Sequence, residues 1–268
     1  MRGNLYFITG GDSYEVGERP TWTGGNVAVF VTNTGVVLVD SMLSGSGRDT
    51  LAQVRKITDK PVTMIVNTHT HNDHVGSDAE FGASIEIVAH ANTGKNMAAM
   101  DEFKGPHSTF LPKRTFTGRM TLGSGTDEID LYYFGRGHTD GDAWVVFPAV
   151  RAMHAGDQFA RQYMPIVDAA RANGNATEFA ATLNKARAGI KNVDRVIGGH
   201  TPTVMTWPDF ENYVDFYNDF LSFVQNAKKL GRSADQAASD YRIPARYVGY
   251  YADPARVKTN VQLIYEGR

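Results

Sequence analysis

Three histidines and an aspartate fall within six positions in the run His69-Thr70-His71-Asn72-Asp73-His74. Imidazole and carboxylate are the donors a divalent transition metal takes when no thiolate is offered. The chain has eight His in 268 residues and no Cys, so chance clustering is a poor account of the run and a thiolate ligand is excluded. Immediately upstream, Pro61-Val62-Thr63-Met64-Ile65-Val66 is short, apolar and β-rich, the pattern of a buried strand. Gly76 and Ser77 follow the run. The cluster therefore reads as a loop leaving a rigid strand that aims alternate side chains at one point.

The same design recurs elsewhere. Val36-Val37-Leu38-Val39 ends in Asp40. Residues 131–134 lead through Gly135-Arg136-Gly137 to His138. Residues 150–153 lead to His154-Ala155-Gly156-Asp157, and residues 193–197 lead through Gly198-Gly199 to His200. Taken singly, each of these is as well explained by a turn or a helix cap. Taken with the first cluster, they form a pool of seven candidate ligands: His69, His71, Asp73, His74, His138, Asp157 and His200. Seven donors exceed one tetrahedral site and suit two metals sharing a carboxylate. His90 at a helix start, His107 in a Pro-flanked loop and His154 on the far side of its strand from Asp157 are left out of the pool.

Composition narrows the function classes. The net charge is −2 and the Lys and Arg residues are scattered, which argues against a nucleic-acid partner. No apolar run approaches the ~18 residues of a membrane helix. The amino terminus lacks the apolar core of a signal peptide. These features predict a small-molecule substrate, with no nucleic acid and no membrane. The compartment stays open between cytoplasm and periplasm, and the oligomeric state stays open, a dimer included.

Strands are expected at 5–8, 27–32, 36–39, 61–66, 85–88, 115–122, 129–134, 143–147, 150–154 and 193–197. Helices are expected at 44–60, 92–103, 177–190 and 210–230. Asn33-Thr34-Gly35 signals a hairpin with a positive φ at the glycine. The order predicts sheets covered by helices rather than a dinucleotide-binding βαβ fold. No linker divides the chain, so one domain over 1–268 is expected, with 209–268 a helical segment packed on it. Residues 10–26 form a long Gly-rich loop. Tyr241, Tyr247, Tyr250 and Tyr251, with Arg242, Arg246 and Arg256, read first as packing, with a pocket wall or a dimer face as alternatives.

Asp40, the H-x-H-x-D-H cluster, His138, Asp157 and His200 together resemble the five ordered motifs of the metallo-β-lactamase superfamily, over about residues 24–200. The resemblance implies an α/β (α+β) fold, the four-layer αβ/βα sandwich, with the site at one edge of two facing sheets. It implies His69, His71 and His138 on a first metal, Asp73, His74 and His200 on a second, Asp157 bridging, and Asp40 orienting a ligand by hydrogen bond. It also suggests the 10–26 loop as a lid. Cys-ligand members of the family cannot be matched, and a bridging Asp is more typical of glyoxalase II, lactonases and related hydrolases.

The expected activity is that of a di-zinc hydrolase, with iron or manganese as alternative metals. A metal-bound hydroxide, available because paired metals lower the pKa of water to about 7, would attack a lactone, β-lactam, ester or thioester carbonyl. Asp73 or Asp157 would move the proton to the leaving group. Tyr163 is either an oxyanion donor or a packing residue. The alternative is a mononuclear iron oxidoreductase of the persulfide dioxygenase type on the same fold.

Overall fold

A computed structural model describes residues 3–11 and 23–268. Strands β1 (Leu5–Ile8), β2 (Val27–Val31), β3 (Val36–Val39), β4 (Val62–Val66), β5 (Glu86–His90) and β6 (Arg114–Phe116) form one sheet in chain order. Strands β7 (Arg119–Leu122), β8 (Ile129–Tyr132), β9 (Trp144–Phe147), β10 (Ala152–His154), β11 (Arg195–Ile197) and β12 (Met205–Thr206) form the other, again in chain order.

Alternation along these strands builds two faces, because successive side chains point to opposite sides of a sheet. Ala28, Phe30, Val37, Val39, Val66 and Val88 meet Leu131, Val145, Phe147, Ala152 and Ile197 in a core between the sheets. Phe30 and Phe147 touch across it, their ring centres 4.9 Å apart. Val27, Val29, Val36, Leu38, Ile65 and Ile87 turn the other way, toward Val54 of α1 (Gly47–Arg55). Both faces are buried, which is why these strands read as unbroken apolar runs.

Helices α2 (Asn72–Val75) and α3 (Ala91–Met97) follow β4 and β5. The outer face of the second sheet, with Trp144, Val146, Met153 and Val196, is covered by α4 (Ala176–Gly189) and α5 (Trp207–Lys229), with α6 (Ala234–Asp240) and α7 (Pro254–Glu266) packed on those helices. The layers run helix, sheet, sheet, helix, as the α/β sandwich requires. Helix α5 starts on a capping box between Thr206 and Asp209. Its buried Phe210, Tyr213, Phe216, Tyr217 and Phe220 are core residues. No helix among the described residues is long and apolar enough to cross a membrane.

Several local expectations are corrected. The strand expected over 115–122 is two strands in different sheets, turning at Thr117-Gly118, because apolar alternation continues through the corner. The helix expected over 44–60 ends at Arg55. Pro61 disfavours helical backbone only at Lys60, so it does not explain the stop at Arg55. The helix expected over 92–103 ends at Met97 and continues as separate turns. The hairpin at 33–35 forms, but Gly35 does not have positive φ. Glycine is needed there for space: a Cβ would sit 2.6 Å from the Thr63 side chain. Helices α6 and α7 lie within the 209–268 segment expected to be helical, although only 210–230 is delimited from the sequence, and strand β12 is not expected. Residues 12–22, the body of the loop read as a lid, lie outside the described residues.

Candidate metal centre

Parallel pairing sets the position of the site. Strands β3, β4 and β5 run parallel, as do β10 and β11, so the segments leaving β3, β4, β10 and β11 carry Asp40, the 69–74 run, Asp157 and His200. Cross-links between loops fix the edges together: Ala143 N donates to Thr68 O at 2.7 Å, and Asn26 N to Gly199 O at 2.7 Å. Glycine is required at two close approaches. A Cβ on Gly25 would lie 2.2 Å from the His74 ring, and one on Gly199 would lie 1.9 Å from Asp157 Oδ1.

All seven candidates meet. His69, His71 and His138 place one ligand atom each within 4.8 Å of one another, and so do His69, His74 and Asp157, and Asp73, His74 and His200. Each group could hold a metal ion. Asp157 Oδ2 lies 3.6 Å from His138 Nε2 and 3.3 Å from His200 Nε2, between the two outer groups. Asp73 Oδ2 lies 3.3 Å from His200 Nε2. His90 stacks on Tyr133, and His154 bonds to Asn26 O; neither belongs to these groups.

Hydrogen bonds outside the cluster set each imidazole tautomer. Asp40 Oδ2 accepts from His74 Nδ1 at 2.7 Å and from Thr68 Oγ1 at 2.7 Å, while Oδ1 accepts from Thr68 N at 2.7 Å. With its proton given to Asp40, Thr68 Oγ1 accepts from His69 Nδ1 at 2.9 Å. Ile166 O accepts from His138 Nδ1 at 2.8 Å, and Asp168 Oδ2 from His71 Nε2 at 2.9 Å. The inward nitrogens, Nδ1 of His71 and Nε2 of His69 and His138, are then left as lone pairs, while burial works downward on His74 but Asp73, Asp40 and Asp157 hold it well above its ordinary value.

The consequence is an excess of acceptors. His71 Nδ1 faces His138 Nε2 at 2.8 Å with no proton assigned between them. His69 Nε2 and Asp157 Oδ1 are buried without a hydrogen-bond partner. Buried acceptors left this way are costly unless a cation satisfies them. The donor set therefore fits divalent metal.

Titration follows the same geometry. Burial, then repulsion from His74, His138 and His71, holds His69 well below its ordinary value. Burial also lowers His138, with His71 adding to it. For His200 burial works downward, but Asp157 and Asp73 outweigh it and the ring rises to about 9. For Asp73 burial works upward, yet His74 and His200 bring it down to about 2. Asp157 is held well below the carboxylate range by His200 and His74 against its burial.

Asp40 adopts φ 67°, a left-handed conformation that Asp and Asn tolerate better than other side chains. Sequence reasoning missed Thr68, Ile166 and Asp168. Thr68 could have been found as the polar residue abutting His69. Asp168 carries no such signal, lying in an aperiodic loop eleven residues past Asp157. Arg171 fixes it, donating from its backbone N and from Nε, each at 3.0 Å.

A cavity of about 450 Å³ opens over the cluster. Its wall includes Leu43, Asn72, Tyr163, Ile166, Tyr213 and Arg256. Tyr163 lines the cavity and is half-buried, with its ring against Tyr251. Of the carboxy-terminal tyrosines, Tyr241, Tyr247 and Tyr250 pack on the core around α5, as read, while Arg256 walls the cavity.

Residues 20–200 match the Metallo-beta-lactamase superfamily. The chain belongs to that superfamily. It is 26% identical over 157 residues to a type 2 metallo-beta-lactamase of Elizabethkingia meningoseptica, covering 58% of this chain and 59% of that protein. The matched stretch thus spans less than two thirds of that relative. In fold it is similar to a metallo-beta-lactamase from Pontibacter korlensis, with TM-score 0.66 at 19% identity, over 81% of this chain and 96% of that one. It is also similar to the stereoselective inverting sec-alkylsulfatase Pisa1 from Pseudomonas sp., with TM-score 0.73 at 14% identity, over 98% of this chain and 49% of that one.

Proposed function

We propose that this protein is a two-metal hydrolase, with zinc as its metal, acting on an activated lactone, β-lactam, ester or thioester. The observation that carries the reading is the position of Asp157 between two sets of inward-facing donors. His69, His71 and His138 would hold one ion; Asp73, His74 and His200 would hold the other; Asp157 would serve both. Bound metals supply Lewis acidity and lower the pKa of a coordinated water to about 7.

The chain's own groups do the rest. Asp40, Thr68, Ile166 O and Asp168 keep four imidazoles in the tautomer that presents a lone pair inward. Asp73, a fifth exposed and beside His200, can carry a proton toward the leaving group at the cavity floor. Tyr163 can donate its phenol proton to a substrate oxygen. The apolar wall at Leu43 and Ile166 excludes water from one side of the bound substrate.

Elemental analysis of purified protein tests the reading first, and a screen of lactones, β-lactams and thioesters follows. Two zinc ions per chain, with Asp157→Ala losing both metal and turnover, are expected. One iron per chain would return the persulfide dioxygenase reading, for which no feature of the site speaks specifically.

A further inference from the structure

Arg256 stands in the wall of the cavity with its side chain half-buried. Among the described residues its guanidinium has no ion-pair or hydrogen-bond partner; only its backbone N is engaged, by the Asp253 cap. Many other arginines find carboxylates, among them Arg119 with Asp130, Arg136 with Glu178, Arg151 with Asp194 and Arg187 with Asp215. Arg256 also sits in the first turn of α7, where the helix dipole disfavours a cation. Helix electrostatics does not account for a charge there.

The wall supplies no counter-charge. Its carboxylates are Asp73 and Asp157, and the proposed function assigns both to metal. Arg171, also in the wall, is already neutralised by Asp168. Tyr213 lines the same cavity as Arg256 and Asp157.

We propose that the substrate carries a fixed negative group, a carboxylate or another oxyanion, and that Arg256 holds it across the cavity from the reacting centre. Arg256 is then a specificity-determining residue, and neutral esters and lactones of the same size are the disfavoured class. The inference rests on the two-metal reading. It concerns a residue beyond the 20–200 segment that matches the superfamily.

The test uses zinc-loaded full-length protein and equilibrium binding of ω-mercapto carboxylates of two to six carbons, each paired with its primary amide. The thiolate anchors both members of a pair on metal, and only the acid offers charge to Arg256. At the best-matched length the acid is expected to bind ~10-fold tighter than the amide, the scale of one charge-assisted hydrogen bond. Arg256→Gln should bring that ratio to about one with amide affinity unchanged, and Arg256→Lys should restore part of it. Unchanged thermal melting of both variants excludes a folding defect. Equal binding of acid and amide at every length overturns the proposal, as does an acid preference that survives in Arg256→Gln. Zinc-dependent binding of neither member overturns the metal reading beneath it, and tight amide binding without acid preference overturns this inference alone.

Discussion

Replacing Asp40 by Asn exchanges one oxygen for an NH2 group and should disarm two proposed metal ligands at once. The backbone N of Thr68 is a fixed donor at 2.7 Å from Oδ1, so the amide oxygen of the variant must stay there. The new NH2 then faces Thr68 Oγ1 and His74 Nδ1, both now donors to Oδ2. His74 can accept only by moving its proton to Nε2, the nitrogen that faces the cluster. Thr68 Oγ1 must turn its proton toward His69 Nδ1, driving the His69 proton to Nε2 as well. Groups that orient metal ligands are each worth ~10–100-fold in affinity, or ~1.4–2.7 kcal/mol per ligand. His69 and His74 belong to different proposed ions, so both should weaken by about that factor. Asn tolerates the φ of 67°, which separates this effect from backbone strain. Asp40→Ala, by contrast, adds strain and leaves buried donors unpaired at ~1–3 kcal/mol each. Zinc competition against a chromophoric chelator reads the affinities, and urea melts of metal-free protein read the fold. Parent-like affinity at both sites in Asp40→Asn would refute the relay. Affinity lost only in proportion to lost stability would refute it equally.

Asp168→Asn should weaken the ion proposed on His71 by ~10–100-fold while sparing the other proposed ion, seen as one altered phase in the same titration. Metal removal should lower the melting temperature by about 5–10 °C relative to free metal at 100-fold above its dissociation constant, measured by calorimetry. Asp78 is buried, and that burial, countered by bonds from Ser41 and Asn67, raises its carboxyl from 3.8 to about 8. Between those values the folded state holds a proton that the unfolded state has released, so stability should fall as pH rises from about 4 to about 8, by at most ~1.4 kcal/mol per pH unit from this group. Asp78→Asn should remove that slope, and urea midpoints at pH 5 and 7 that separate as widely as in the parent would refute it. Phe30→Ala, at the contact with Phe147, should cost ~3–5 kcal/mol in urea melts.

What the sequence disclosed follows physical rules of unequal reach. The runs 27–31 and 36–39 were legible because burial on both faces leaves an unbroken apolar signature, and 62–66 because it is short, β-rich and apolar around one exposed threonine. The seven clustered donors were legible because His and Asp at strand ends have few other reasons to recur. Asp168 was not, since its role depends on a loop folding back 97 positions to reach His71. The corner between β6 and β7 was hidden because both sides of it carry the same alternation. Arg256 appeared only as one arginine in an aromatic tail; its missing counter-charge is a fact of three dimensions. Helices α6 and α7 carry start signals, Ser233 with Gln236 and Asp253 with Pro254, but their apolar stripes are weak because they cover other helices.

The first half of the chain contributes His69, His71, Asp73 and His74, and the second contributes His138, Asp157 and His200, each from its own sheet's side of the edge. Neither half alone could complete a coordination sphere. An ion bound there would rivet the two sheets at their shared rim, opposite no covalent crosslink, in a chain without cysteine. Metal capture would therefore come after the halves have docked, and the loaded protein would resist opening between its sheets more than within either one.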